Sequence, residues 1–97
     1  MTKNAKPGEL LSIPGIGKSL ARDLELLGYG KVSGLREQDP MEMYERLCEM
    51  THSRQDRCVL YVFRCAVYFA TENSHDPELL KWWNWKDKTY RTEGKAI

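Results

Sequence analysis

Residues 13–18, Ile-Pro-Gly-Ile-Gly-Lys, constrain the fold most, because they place a proline and two glycines directly before a helical pattern. Pro14 fixes one φ angle, whereas Gly15 and Gly17 can adopt positive φ values and carry no side chain. The backbone amides from Gly15 to Lys18 can therefore turn outward together at a helix start, where the helix dipole attracts anions. The sequence predicts a tight hairpin that joins two helices and can bind a phosphate group.

The hairpin runs on into Ser19-Leu20-Ala21, so its full pattern is apolar-Pro-Gly-apolar-Gly-x-x-x-Ala. This pattern resembles the hairpin of the helix-hairpin-helix family, whose members hold nucleic-acid backbones without reading the bases. The resemblance implies phosphate binding by the hairpin amides and by side chains in the first turns of the next helix. The residues assigned to this role are Gly15, Ile16, Gly17, Lys18, Ser19 and Arg22.

Apolar residues recur at helical spacing along most of the chain. Gly28 can end the helix after the hairpin, and Asp39-Pro40 can cap the start of another helix. Ser53-Arg54-Gln55-Asp56 has the form of a capping box that starts at Ser53. The longest apolar segment, 58–70, covers most of a helix circumference, which predicts a central helix packed on several sides. The predicted helices are 7–12, 18–27, 40–51, 58–70 and a short final one over 77–83, with a turn or short helix at 32–35.

Residues 30–35, Gly-Lys-Val-Ser-Gly-Leu, look like a degenerate second hairpin, because they precede another apolar helix but lack the Pro-Gly-x-Gly core. We assign them a packing role. The predicted fold class is all-α, a tandem helix-hairpin-helix (SAM-like) domain of five or six short helices with a long central helix. The domain is expected over residues 1–87, followed by a polar, flexible tail over residues 88–97.

Two later segments carry a second resemblance. Residues 56–70 (Asp-Arg-Cys-Val-Leu-Tyr-Val-Phe-Arg-Cys-Ala-Val-Tyr-Phe-Ala) and 81–87 (Lys-Trp-Trp-Asn-Trp-Lys-Asp) resemble the small bacterial pathogenicity-locus family. The similarity extends from about Leu10 to Asp87. That family is regarded as related to helix-hairpin-helix proteins, so the resemblance implies the same fold. The family name describes no chemistry, and no established activity follows from it.

Composition places the chain among ordinary soluble proteins. Its 97 residues are 41% hydrophobic and 30% charged, which suits one domain with a single core. No apolar run approaches the roughly 20 residues that cross a bilayer, and the polar first residues lack a signal-peptide pattern. We therefore expect a cytoplasmic protein with no membrane partner. An odd number of cysteines, three, favours reduced thiols over a disulfide framework.

Charge is distributed unevenly, although the net charge is only +1. Residues 1–22 carry a net +3 and residues 23–50 a net −4, so positive charge concentrates at the hairpin end. Any nucleic-acid-binding face must be local and modest. An exposed tryptophan flanked by Lys81 and Lys86 could stack on a base or dock a protein partner. The additional candidate contacts are Arg54, Arg57 and Trp85.

The cysteines and histidines offer an alternative chemistry. A metal site would need convergence of Cys48, His52, Cys58 and Cys65, but the sequence has no Cys-x-x-Cys knuckle, which favours core packing of the thiols. We therefore predict no metal and no other cofactor. A Cys48 thiol activated by His52 remains a route to redox chemistry. No catalytic constellation surrounds either histidine, so we predict a protein that is not an enzyme.

The main functional hypothesis is sequence-nonspecific binding of a nucleic-acid backbone, with DNA the expected form, through the first hairpin. One alternative is a protein-interaction adaptor that binds no nucleic acid, which the near-neutral charge favours. The other is a Cys/His metal-binding or thiol-redox protein. The sequence predicts no particular oligomeric state.

Overall fold

The longest helix, α3 (Arg57–Thr71), lies at the centre of the fold in the computed structural model, which describes residues 9–90. Nine of its 15 residues are buried, and Leu60 and Phe63 are fully inaccessible to solvent. It packs against α2 (Pro40–Thr51) and against short helical segments on either side of it in the sequence. The predicted central helix, covered on several sides, is confirmed.

Short helical segments account for the rest of the regular structure. A third α-helix, α1 (Lys18–Leu26), follows the hairpin. No strand occurs within residues 9–90, which confirms the all-α class. The expected five or six helices are wrong for this part of the chain, since only three are α-helical. A four-residue segment closes too few hydrogen bonds to offset the cost of nucleating an α-helix. The four remaining segments are 3-10 helices: Glu9–Ser12, Val32–Leu35, Pro77–Leu80 and Trp82–Trp85.

Two of the predicted helices differ for local reasons. The final one is split at Lys81, whose extended backbone (φ −92°, ψ 111°) separates the two last 3-10 helices. The described part of the first predicted helix, Glu9–Ser12, is a 3-10 helix, and residues 7 and 8 lie outside the described residues.

Aspartates cap α2 and α3. The Asp39 carboxylate accepts hydrogen bonds from the Met41 and Glu42 amides at 2.9 and 3.3 Å, with Pro40 in the first helical position, as predicted. At α3 the cap is Asp56, which accepts from the Cys58 amide at 2.9 Å. The predicted capping box starting at Ser53 is therefore wrong. The Tyr44 hydroxyl donates to the Gln55 carbonyl. This bond holds the segment before α3 against α2, and the helix begins only at Arg57.

Gly28 ends α1, as predicted, with φ +104°. Its amide donates to the Glu25 carbonyl at 3.0 Å, and the Tyr29 amide donates to the Leu24 carbonyl at 2.8 Å, which is the Schellman pattern. A guanidinium nitrogen of Arg46 then binds the Leu27 carbonyl at 2.9 Å. This contact fastens the end of α1 to the side of α2.

Tyr90 extends the core beyond residue 87. It is 5% exposed, and its hydroxyl donates to a Glu72 carboxylate oxygen at 2.7 Å. Residues 91–97, most of the segment expected to form a polar tail, lie outside the described residues. None of the helices described is both long and apolar enough to cross a membrane.

Candidate functional site

The predicted hairpin is a tight turn held by two buried isoleucines. Ile13 and Ile16 are 1% and 6% exposed, and the Ile16 amide donates to the Ile13 carbonyl at 3.1 Å. Pro14 and Gly15 occupy the two central positions, and φ of Gly15 is +88°, the value that a type II turn requires there. The Ile16 amide is thus used inside the turn, so Ile16 supports the hairpin with its side chain and not with a free amide.

The turn rests on the last part of the described chain. A Cβ atom built on Gly15 would lie 2.9 Å from Cδ1 of Trp82, closer than real Cβ atoms approach a neighbour. Trp82 is half-buried, packed against the core. Sequence reasoning missed this contact, because no local signal relates a glycine in a turn to a tryptophan near the other end of the chain.

The start of α1 follows the turn and has no side-chain cap. Gly17 is the N-cap residue, with an extended backbone (φ −97°, ψ −172°), and its carbonyl accepts from the Ala21 amide at 2.9 Å. Within residues 9–90 no acceptor contacts the amides of Lys18, Ser19 and Leu20. These amides are the first-turn donors that a helix leaves unsatisfied, and they carry its positive dipole end.

Side chains with charges of both signs surround this helix start. Lys18, Ser19 and Arg22 are exposed. Lys18 and Arg22, four residues apart, line a cleft of about 220 Å³ beside the first 3-10 helix. Glu9 and Glu25 line the same cleft, and the Glu9 carboxylate accepts from the Val32 amide at 3.3 Å. The cleft is therefore of mixed charge, whereas the helix start itself presents amides and basic side chains.

Arg54 and Arg57 lie elsewhere, at the junction between α2 and α3. The Arg57 guanidinium lies over the Tyr44 ring, 6.0 Å from its centroid, and Arg54 is exposed. In the part of the chain that the structure describes, no hydrogen bond, ion pair or ring contact joins either arginine to the hairpin. Both remain candidate contacts, and the structure shows no direct link between them and the hairpin within residues 9–90.

Trp85, the ring assigned to partner or nucleic-acid contact, is a core residue and that assignment is corrected. It is 2% exposed, and its indole Nε1–H donates to the Leu79 carbonyl at 2.8 Å. Arg64 Nη1 donates to the Trp85 carbonyl at 2.8 Å. The exposed ring of the cluster is Trp83, at 55%. The sequence predicted an exposed tryptophan in this segment, and packing against α3 decided which of the three rings faces solvent.

The basic and aromatic residues of α3, Arg57, Tyr61, Arg64 and Tyr68, do not form a continuous exposed stripe. Arg64 is 4% exposed and lies 5.7 Å from the centroid of Tyr61, and Tyr68 is also buried. The guanidinium of Arg64 serves the core by binding the backbone of the last 3-10 helix.

The four candidate metal ligands do not converge. Cys65 is buried and its Sγ donates to the Leu79 carbonyl at 3.5 Å, whereas Cys58 is exposed at the start of α3. Cys48 Sγ accepts from the Gln55 amide at 3.4 Å, and His52 ends α2 with φ +54°. No group of three or more His, Cys, Asp and Glu side chains within residues 9–90 is arranged to hold a metal ion. Nothing in the described part of the chain therefore supports the metal-site alternative.

Two of the thiols are also poor nucleophiles. Burial raises the pKa of Cys65 to about 11. The hydrogen bond with the Asp56 carboxylate, followed by desolvation, raises the pKa of Cys58. A raised thiol pKa leaves less of the reactive thiolate at neutral pH.

Comparison with known proteins gives a family assignment and one curated relative. The family model Cdd1, whose description is "Pathogenicity locus", matches residues 3–91. The mitomycin resistance protein McrB of Streptomyces lavendulae is 31% identical to this chain over 83 residues, which are 86% of this chain and 75% of that protein. No solved structure matches the chain significantly.

Proposed function

The chain belongs to the pathogenicity-locus family, and from the geometry of its first hairpin we propose that it binds the phosphate backbone of nucleic acid, DNA in the first instance, without sequence specificity. The observation that carries the proposal is the uncapped start of α1. There the free amides of Lys18 and Ser19 adjoin the exposed Lys18 side chain on a turn that two buried isoleucines hold in place. A phosphate oxygen is the acceptor that such a helix start binds best.

The contrast with the other two α-helices supports this reading. Asp39 and Asp56 place a carboxylate on the first amides of α2 and α3, so those helix starts are occupied and would repel an anion. Gly17 leaves the corresponding amides of α1 without an intramolecular acceptor in the described chain. Among the three helix starts, only that of α1 therefore suits an anionic ligand.

The same contrast fits a tandem helix-hairpin-helix arrangement, which we include in the proposal. A 3-10 helix followed by a turn and an α-helix occurs twice, as Glu9–Ser12 before α1 and as Val32–Leu35 before α2. In the second copy the Asp39 carboxylate caps the helix start, so no anion site is available there. That copy contributes to packing through the fully buried Leu35. One anchoring hairpin supplies few phosphate contacts, so binding should be weak and sensitive to salt.

The substitution Gly17→Asp tests the proposal. The backbone of Gly17 is ordinary for any residue and no atom lies within 4 Å of a Cβ built there, so the variant should fold. The new carboxylate would cap α1 as Asp39 caps α2, stabilising the helix by at most a few tenths of a kcal/mol while excluding phosphate. Gly17→Asn is the matched control that occupies the amides without a charge.

Binding is measured by fluorescence anisotropy at low salt with two duplexes of unrelated sequence. Equal affinity of the wild-type chain for both, and loss of binding in Gly17→Asp with a partial loss in Gly17→Asn, would support the proposal. Absence of binding by the wild-type chain, or full binding by Gly17→Asp, would contradict it.

A protein-interaction adaptor that binds no nucleic acid is the second candidate, and the observation that favours it is the exposure of two leucines, Leu11 (43%) and Leu26 (50%). The name of the Streptomyces relative concerns resistance to mitomycin, and the family name concerns a pathogenicity locus; neither names a ligand. If the wild-type chain retains no nucleic acid at low salt, the adaptor hypothesis replaces the first.

A further inference from the structure

Trp83 is an exposed indole placed beside the hairpin. Its ring is 55% exposed and stands edge-on to Trp82, with centroids 5.6 Å apart and an interplanar angle of 85°. Trp82 in turn contacts Gly15. One ring therefore separates the exposed indole from the turn that leads into α1.

The position of Trp83 is held by its neighbours. The Trp85 carbonyl and indole are hydrogen-bonded to Arg64 and Leu79, and Asn84 Nδ2 donates to the Glu78 carbonyl at 2.7 Å. These bonds hold the two residues that follow the exposed ring. A ligand that stacks on a ring held in this way loses little free energy to ordering the protein.

The surroundings of Trp83 favour a single flat ligand over a protein surface. In the segment 81–86, the residues Lys81, Asn84 and Lys86 are exposed and polar, whereas Trp85 is buried. Within this segment Trp83 is thus the one exposed apolar side chain, whereas protein interfaces are built around clusters of such anchors. The Lys81 ammonium is 3.2 Å from Glu78, which leaves Lys86 as the lysine of this segment with no ion pair in the described chain.

We propose that Trp83 is a stacking platform for an unpaired nucleobase and that the preferred ligand is single-stranded nucleic acid. This inference rests on the proposed function, because a strand whose phosphate lies at the start of α1 brings its bases near the ring. A base inside a duplex has both faces covered by its neighbours, whereas an unpaired base can offer a face to Trp83. Stacking of this kind is indifferent to sequence and is stronger on tryptophan than on a smaller side chain.

The test compares an oligo-dT strand with a duplex of equal length, using the full chain and the variants Trp83→Ala and Trp83→Phe. Trp83→Ala should weaken binding of the strand about tenfold and leave duplex binding unchanged, and Trp83→Phe should retain most of the strand affinity. Met50→Ala removes a side chain of similar exposure, 46%, from the end of α2 and is the matched control. Circular dichroism checks that each variant is folded.

The outcomes separate this inference from the proposed function. If Trp83→Ala weakens binding of the strand and of the duplex equally, or weakens neither, the stacking role is overturned. The hairpin proposal is then still tested by Gly17→Asp. Failure of the wild-type chain to bind either probe at low salt overturns the proposed function and this inference with it.

Discussion

Gly15 and Trp82 are packed so closely that a Cβ atom at position 15 would lie 2.9 Å from Cδ1 of the indole, and the indole would have to shift to admit it. The backbone favours glycine here as well, because φ of +88° is strained for residues with a side chain. The contact joins the predicted anion site to the tryptophan-rich segment. Integrity of that segment should therefore influence the hairpin.

Gly15→Ala should lower the free energy of unfolding by about 2 kcal/mol, through backbone strain together with the clash. Urea denaturation measures the effect. Gly30→Ala is the control, because its φ is not positive and nothing lies within 4 Å of a Cβ there; it should change stability by less than about 0.5 kcal/mol. In a Trp82→Ala background, Gly15→Ala should cost less, because only the strain remains. If Gly15→Ala lowered the free energy of unfolding equally in both backgrounds, the close packing against Trp82 would make no contribution to that loss.

Trp85→Phe should lower the free energy of unfolding by about 2 kcal/mol, since it leaves a cavity and removes the hydrogen bond to the Leu79 carbonyl. Trp83→Phe changes an exposed ring and should have almost no effect on stability. Thermal and urea unfolding of the two variants give the comparison. A larger loss for Trp83→Phe would mean that the two rings are assigned the wrong way round.

Lys18→Ala should weaken DNA binding equally for all sequences and lower the slope of log affinity against log salt by about one. The reason is that each lost phosphate contact releases one fewer counterion. Lys31→Ala removes an exposed lysine before the second 3-10 helix, where Asp39 caps the following helix, and should leave the slope unchanged. Salt titration of anisotropy measures both slopes, and identical behaviour of the two variants would count against the hairpin as the contact.

Alkylation with iodoacetamide at neutral pH should modify Cys58 slowly and Cys65 not at all until the chain is unfolded. Cys58 is exposed but has a raised pKa, and Cys65 is buried with a pKa of about 11. Peptide mass spectrometry at successive times identifies the modified thiols. Rapid labelling of Cys65 in the folded chain would contradict the core role and reopen a reactive-thiol function.

The raised pKa of Cys65 also predicts a pH dependence of stability. Burial raises the pKa of this thiol from its ordinary value of 9.0 to about 11, so the unfolded chain loses the thiol proton at lower pH than the folded chain. The contribution of this thiol is complete below pH 9 and declines as the pH rises towards 11. Urea unfolding from pH 8 to 11 should show a shallower decline for Cys65→Ala than for the wild-type chain. Parallel curves would indicate that Cys65 is accessible to solvent.

Local signals in the sequence predicted the three α-helices well. The cap Asp39, the terminator Gly28 and the apolar run of α3 each act within a few residues, and the helix bounds follow them closely. The 3-10 helices were missed as such, because four-residue segments differ little in energy between the two helix types. The capping position of α3 was missed because the Tyr44 hydroxyl, on another helix, holds the preceding segment.

By itself the sequence determined the all-α class, the turn at Pro14-Gly15 and the glycine at the start of α1, since proline, glycine and helical periodicity act on the local backbone. Tertiary structure alone decided that Trp82 covers Gly15, and that Trp85 is buried while Trp83 is exposed. The physical reason is that these contacts depend on how segments far apart in the chain are oriented around α3. Spacing within one segment shows which side chains share a face but not which face another segment will cover.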